Sequence, residues 1–330
     1  MSKHIYVAYV GGTIGMKATD SGYAPVPGHL TEHVRDRPLG LDAELTISEY
    51  EPLLDSANAR PADWLRIARD IVARRHDYDG FVVLHGTDTM AYTASALAFL
   101  LRGLGKPVII TGSQIPLGVL RSDGRQNFLT AVLVAARDDV KEVCLVFGSR
   151  ILRGARSVKA RASGFEAFAS PNLPPLGEAG VDIVIDTQRL RSTEPRPIEL
   201  PDALDAPVGL LRLYPGMRAA LLRAAMAAPT KGLVLEAYGA GTAPDADPEL
   251  VEALAARDVV VTVVSQCADG RVDLSAYKTS APLVAAGAVG GLDMTTEAAY
   301  TKLVVLLSEG RNPREVRELM RTDLAGELTK

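Results

Sequence analysis

Hydroxyl groups, most of them beside glycine, cluster in four short segments of this chain. They are Gly11-Gly12-Thr13-Ile14-Gly15, Asp55-Ser56, His85-Gly86-Thr87-Asp88-Thr89 and Thr111-Gly112-Ser113-Gln114. A threonine or serine hydroxyl is a weak nucleophile until a neighbour takes its proton. Glycines let backbone N–H groups approach a ligand closely, where they bind negative charge. The third segment is the densest, with two hydroxyls and a carboxylate in one turn. Its plain structural role is a helix cap, with Thr87 or Asp88 opening the helix entered at Met90. Capping alone does not require so many polar groups. A carboxylate at the positive end of a helix stays ionised and can hold a lysine. Lys159, in Ser157-Val158-Lys159-Ala160-Arg161, is the candidate. Most lysines are solvated surface charges, and nothing in the spacing brings this one to Asp88.

Other chemistries fit less well. Gly11-Gly12-Thr13 lacks the G-x-G-x-x-G spacing of a dinucleotide site, and the prolines at 25 and 27 stop a helix from running on. Its plain alternative is a tight turn with an incidental threonine. There is no G-x-S-x-G elbow and no P-loop. His29-Leu30-Thr31-Glu32-His33 matches the H-x-x-E-H pattern of some zinc peptidases. It follows two prolines and a glycine in a polar segment, so it is expected to be a solvated turn. Cys144 lies in an apolar run and reads as a small core residue. Cys267 has no His or Cys partner at metal-ligand spacing.

These segments need elements to position them. Residues 5–10, 82–84, 108–110 and 142–147 are unalternating apolar runs, as expected for strands buried on both faces of a parallel sheet. Trp64, Ala68, Ile71 and Val72 share one helical face, with Pro61 in the first turn. Stretches 89–101 and 125–136 have helical length, the second capped by Ser122 or Asp123. Strand–helix alternation predicts βαβ units, and ligands bind beyond the carboxyl ends of such strands, where all four segments fall. The pattern breaks in a proline-rich stretch and then resumes with strands near 208–213, 233–237 and 259–264. Helices are predicted over 217–227, 248–256 and 295–307, with a last one opened by Asn312-Pro313. The expected fold is α/β: a larger N-terminal domain (1–188) with a doubly wound, mostly parallel sheet, a linker (189–207) and a smaller C-terminal α/β domain (208–330).

Composition narrows the function classes. The 330 residues are 47% hydrophobic and 23% charged, ordinary for a folded chain, with 36 Lys and Arg against 40 Asp and Glu. A net charge of −4 does not mark a nucleic-acid binder. Two cysteines exclude a disulfide scaffold and fit a reducing compartment. The N-terminal segment leads straight into a strand with no secretory pattern, and no apolar stretch reaches the ~20 residues that span a bilayer. The expectation is a cytoplasmic protein without a membrane or nucleic-acid partner.

Taken together, Val10-Gly11-Gly12-Thr13-Ile14, Asp55-Ser56, His85 through Met90 and Lys159 resemble the bacterial-type L-asparaginases. Residues 84–97, 111–116 and 165–172 look especially like the cytoplasmic type I branch. The resemblance spans essentially the whole chain. It implies hydrolysis of the side-chain amide of asparagine to aspartate and ammonia through a threonine acyl-enzyme, with no metal or organic cofactor. It matches Thr13 to the nucleophile, Tyr23 to a flap residue beside it, and Thr87, Asp88 and Lys159 to a second catalytic set. Gly12, Gly86 and Ser113, with Asp55, Ser56, Thr87 and Asp88, match substrate-binding positions. A homodimer or homotetramer is implied. Some type I enzymes carry a second, regulatory asparagine site that uses an arginine where this chain has Glu236. Alternatives are a dual glutaminase-asparaginase and a non-catalytic amino-acid sensor. The related amidases that serve tRNA charging carry an RNA-contacting module for which this chain has no spare length.

Overall fold

The computed structural model describes residues 2–20, 22–36, 43–192, 194–245, 247–254 and 259–329. The chain divides into two compact units, Met1–Leu200 and Pro201–Lys330. The division falls within the stretch read as a linker, and part of that stretch packs on the first unit: the Arg196 N–H donates to the Gly103 carbonyl at 2.9 Å.

The first unit begins with β1 (Lys3–Gly11), a hairpin of β2 (Met16–Thr19) and β3 (Gly22–Pro25), α1 (His29–Asp36) and β4 (Ala43–Leu54). Then come α2 (Pro61–Ala73), β5 (Gly80–Leu84), α3 (Met90–Leu100), β6 (Val108–Thr111), α4 (Gly124–Ala135) and β7 (Val143–Phe147). The remaining strands are β8 (Arg150–Arg153), the hairpin β9 (Val158–Lys159) and β10 (Phe168–Ala169), β11 (Gly177–Ala179) and β12 (Ile183–Ile185). The main sheet has the order β12-β11-β8-β7-β6-β5-β1-β4. It is parallel from β7 through β4 and antiparallel at the β8, β11 and β12 edge. Every residue of β5, β6 and β7 is buried, which is why these strands read as continuous apolar runs. From β1 the chain goes to β4 on one side, then crosses back to β5 on the other, so the order reverses between β1 and β5. A crevice at such a switch point is where open α/β sheets bind ligands.

Two expectations need correction. His29–His33 is not a turn but the start of α1. The reason lies in β4: the Glu49 carboxylate accepts the Gly28 N–H at 2.6 Å and both the N–H and hydroxyl of Thr31, which caps the helix from outside it. The helix at 90 is capped by neither Thr87 nor Asp88, because its N-cap residue is Thr89, whose hydroxyl donates instead to the Ser56 carbonyl at 2.7 Å.

The second unit carries β13 (Val208–Arg212), α5 (Ala219–Met226), β14 (Gly232–Ala237), α6 (Pro248–Leu254) and β15 (Val260–Ser265). It ends with α7 (Ala281–Ala285), β16 (Val289–Gly290), α8 (Thr296–Ser308) and α9 (Pro313–Met320). The sheet β13-β14-β15-β16 is parallel. The predicted helix over 248–256 is helical as far as Leu254, and positions 255 and 256 lie outside the described residues. Asn312 caps α9 through the N–H groups of Arg314 and Glu315. Among the described residues no helix is long and apolar enough to cross a membrane.

One ion pair in this unit is wholly buried. Lys302 Nζ lies 2.5 Å from Glu327, both side chains at 0% exposure, and Glu327 also accepts the Leu324 and Ala325 N–H groups. Removing one partner of such a pair leaves an uncompensated charge, which costs about 3–5 kcal/mol. Lys302→Met is therefore expected to lower the urea midpoint followed by circular dichroism; an unchanged midpoint would contradict this role.

Candidate active site

Register brings four segments to one edge of the first unit. Tyr9 on β1 pairs with Leu84 on β5, Leu84 pairs with Thr111 on β6, and Gly11 pairs with Leu54 at the end of β4. The turns that follow these strands therefore begin side by side. Gly12 precedes a 3-10 turn over Thr13–Gly15 at φ +91°, a left-handed conformation that favours glycine. A Cβ on Gly12 would stand 2.3 Å from the Gly86 nitrogen, and one on Gly86 would stand 2.3 Å from Ser56 Oγ. The Thr13, Ser56 and Thr87 turns are thus in direct contact. Thr13 is half-buried, while Thr87 and Ser56 are buried.

Lys159, from the β9 hairpin, reaches this junction. Its Nζ donates to Thr87 Oγ1 at 2.9 Å and to Asp88 Oδ1 at 2.7 Å. The lysine side chain is 20% exposed and the Asp88 side chain 61%. An ammonium donating to Thr87 Oγ1 favours negative charge on that oxygen and leaves the hydroxyl proton free to be passed on. Asp88, turned to solvent, is accessible to a cationic ligand group. Asp55 accepts the Ala57 N–H at 3.1 Å, which forms the short turn that presents Ser56. Ser113 is buried at the end of β6, and its hydroxyl has no partner among the described residues. Tyr23 lies on the strand β3, which packs against the Thr13–Gly15 turn. Its side chain is 55% exposed, at a position cross-strand from Ala18.

The structure gives several residues supporting roles that the sequence reading did not assign, and adds Asn127. Asp123, expected as a cap for α4, accepts the Gln114 and Ile115 N–H groups and so shapes the loop after β6. Ser122 Oγ accepts the Gly124 N–H instead. Asn127 donates to the Gly112 carbonyl at 2.9 Å and accepts the Gly148 N–H at 3.0 Å. Gln114 Nε2 donates to the Gly164 carbonyl at 3.1 Å, joining that loop to the segment carrying Lys159. His85 is 1% exposed, with Nδ1 2.8 Å from the Gly86 carbonyl and Nε2 3.1 Å from Thr93 Oγ1. In the sequence the only signal was a histidine directly before the Gly-Thr-Asp turn.

The family models match both units. Residues 4–191 match "Asparaginase, N-terminal", and residues 207–320 match "Glutaminase/Asparaginase C-terminal domain". The chain belongs to the asparaginase family. It is 49% identical to L-asparaginase 1 of Escherichia coli (strain K12), over 99% of this chain and 98% of that one. The crystal structure of L-asparaginase I from Vibrio cholerae superposes with a TM-score of 0.91 at 44% identity, covering 100% of both chains. The thermostable L-asparaginase from Thermococcus kodakarensis gives 0.87 at 33%, covering 99% of each. As an asparaginase-family member, the chain is an amidohydrolase, and its α/β architecture is that of the family.

Burial holds the His85 imidazole below its ordinary pKa near 6.5. The unfolded chain then binds a proton, as pH falls through 6.5, that the folded chain does not. Stability is therefore full above 6.5 and declines below it, until the folded value is reached. Melting temperatures from pH 7.5 to 5 should fall more steeply for the parent than for His85→Gln. Parallel curves would remove His85 as the titrating group.

Proposed function

We propose that this asparaginase-family member hydrolyses the side-chain amide of L-asparagine to aspartate and ammonia, with Thr13 as nucleophile. The observation that carries this reading is the contact of the Thr13 turn with the turn whose Thr87 and Asp88 are held by Lys159. Thr13 Oγ1 attacks the carboxamide carbon, and the C–N bond breaks once the leaving nitrogen has gained a proton. The hydroxyl proton of Thr13 ends on that nitrogen, which departs as ammonia. Water then cleaves the threonine ester, releasing aspartate and restoring the hydroxyl. Lys159 and Asp88 polarise Thr87 and move protons at this step. Backbone N–H groups of the Gly12-Thr13 and Thr87-Asp88 turns receive the oxyanion. Asp55, Ser56 and Asp88 hold the α-amino and α-carboxylate groups, with Gly86 and Ser113 lining the same edge. Tyr23, on the β2–β3 hairpin, meets Thr13 when the hairpin closes over substrate and excludes water.

Family membership supports action as a homodimer or homotetramer, and free Cys144 and Cys267 are compatible with a cytoplasmic setting. Glutamine is the second substrate to consider, because one methylene in a pocket is worth only about 1–3 kcal/mol. Ammonia release from asparagine and glutamine, measured side by side over a concentration series, tests the substrate reading. Thr13→Ala should lower asparagine turnover at least about a thousandfold while the melting temperature holds. Ammonia release surviving at near-full rate would remove Thr13 as nucleophile.

A regulatory asparagine site at Glu236 is not expected. Its carboxylate accepts the Thr296 hydroxyl at 2.7 Å and lies 3.7 Å from Arg212. Burial, with a further push from the Glu236 charge, raises the nearby Glu297 carboxyl to about 7. A ligand carboxylate entering there meets like charge. Saturation with asparagine should accordingly be hyperbolic, and a sigmoidal curve would contradict it.

A further inference from the structure

We infer that His85 is a positioning residue that locks the Gly86–Thr87 peptide plane, so that the Thr87 N–H is aimed at the reacting carbonyl oxygen. The identity of that oxygen rests on the asparaginase reading; the lock does not.

Gly86 C=O and Thr87 N–H belong to one peptide group. In a planar trans peptide they point in opposite directions, so fixing the carbonyl fixes the N–H. A carbonyl oxygen only accepts, so the proton of the contact lies on His85 Nδ1, 2.8 Å away. Nε2 then accepts from the Thr93 hydroxyl at 3.1 Å. Both ring nitrogens are used, which sets one tautomer and one ring orientation. Thr93 is itself fully buried on α3, and its N–H is bonded to the Thr89 carbonyl at 3.1 Å. The ring is therefore braced by the helix that the loop enters.

The need for a brace follows from the packing. Residue 86 must be glycine, because a Cβ there would stand 2.3 Å from Ser56 Oγ. Glycine also removes the steric barrier that discourages rotation of its peptide. The contact that brings the turns together thus loosens the group that must stay fixed, and the imidazole restores the constraint. Thr87 is only 7% exposed, yet its N–H meets no protein acceptor among the described residues. A backbone donor without a protein partner is open to a ligand oxygen. It belongs to the same residue whose hydroxyl Lys159 holds.

The test compares His85→Leu, which has bulk but no donor, with His85→Gln, whose amide N–H can replace Nδ1–H. The leucine variant should lose about 100-fold in kcat for ammonia release from asparagine, the cost of one oxyanion donor, with KM little changed. Glutamine should recover at least about tenfold of that loss, as one restored hydrogen bond of ~1.4 kcal/mol would. Equal kcat in the two variants, or leucine at the parental rate, overturns the inference. If leucine prevents folding, Thr93→Val loosens the ring without emptying its site and should lower kcat with KM little changed; a parental kcat overturns it. A crystal structure of the leucine or valine variant decides the lock without activity: a rotated Gly86 carbonyl supports it, an unmoved one refutes it. A parent that releases no ammonia would defeat the asparaginase reading while leaving that structural result to judge the lock.

Discussion

Two glycines permit two backbone turns to touch, and the rest of the site depends on that contact. A side chain at Gly12 would strike Gly86, and one at Gly86 would strike Ser56. Strand register alone brings β1, β5 and β6 to a common edge, but spacing between adjacent strands is still ~5 Å. Removing both Cβ atoms allows the Thr13 and Thr87 turns to approach each other directly. The strand order reverses between β1 and β5, the position at which open α/β sheets bind ligands.

Around this contact the polar groups are arranged in an order of exposure. His85 and Asn127 are buried and serve the backbone, one on the Gly86 carbonyl and the other on Gly112 and Gly148. Lys159 is intermediate, and Asp88 faces outward. Buried hydrogen-bonded groups hold geometry, because breaking them leaves an unsatisfied partner in a low-dielectric interior. The outward carboxylate can exchange partners at little cost, because solvent screens it. Gln114 ties the loop after β6 to the segment bearing Lys159, whose ammonium in turn donates to Thr87. Loops become precise when a rigid scaffold holds their backbones.

Much of this organisation was legible in the residue order, and the exceptions share a cause. Strands β5, β6 and β7 were readable because burial on both faces leaves continuous apolar runs. Edge strand β4 was not, since it mixes buried and exposed positions and carries charged residues such as Glu44, Glu49 and Glu51. Helix α1 was misread as a turn because its cap, Glu49, lies on another element. The four hydroxyl-rich segments were visible as candidates through composition alone. The supporting roles of Asp123, Asn127 and His85 were not, because each acts on backbone groups whose location the sequence does not state.

Residue types and their order determined the α/β class, the strand-to-helix turns that carry hydroxyls, and the asparaginase resemblance, because these follow from local periodicity and short motifs. Only the tertiary structure decided that Lys159 holds Thr87 from 72 positions away. It alone decided that Thr89 serves Ser56 rather than its own helix. A hydrogen bond needs its partners within about 3 Å, and separation along the chain carries no information about that distance once the sheet has brought remote turns together.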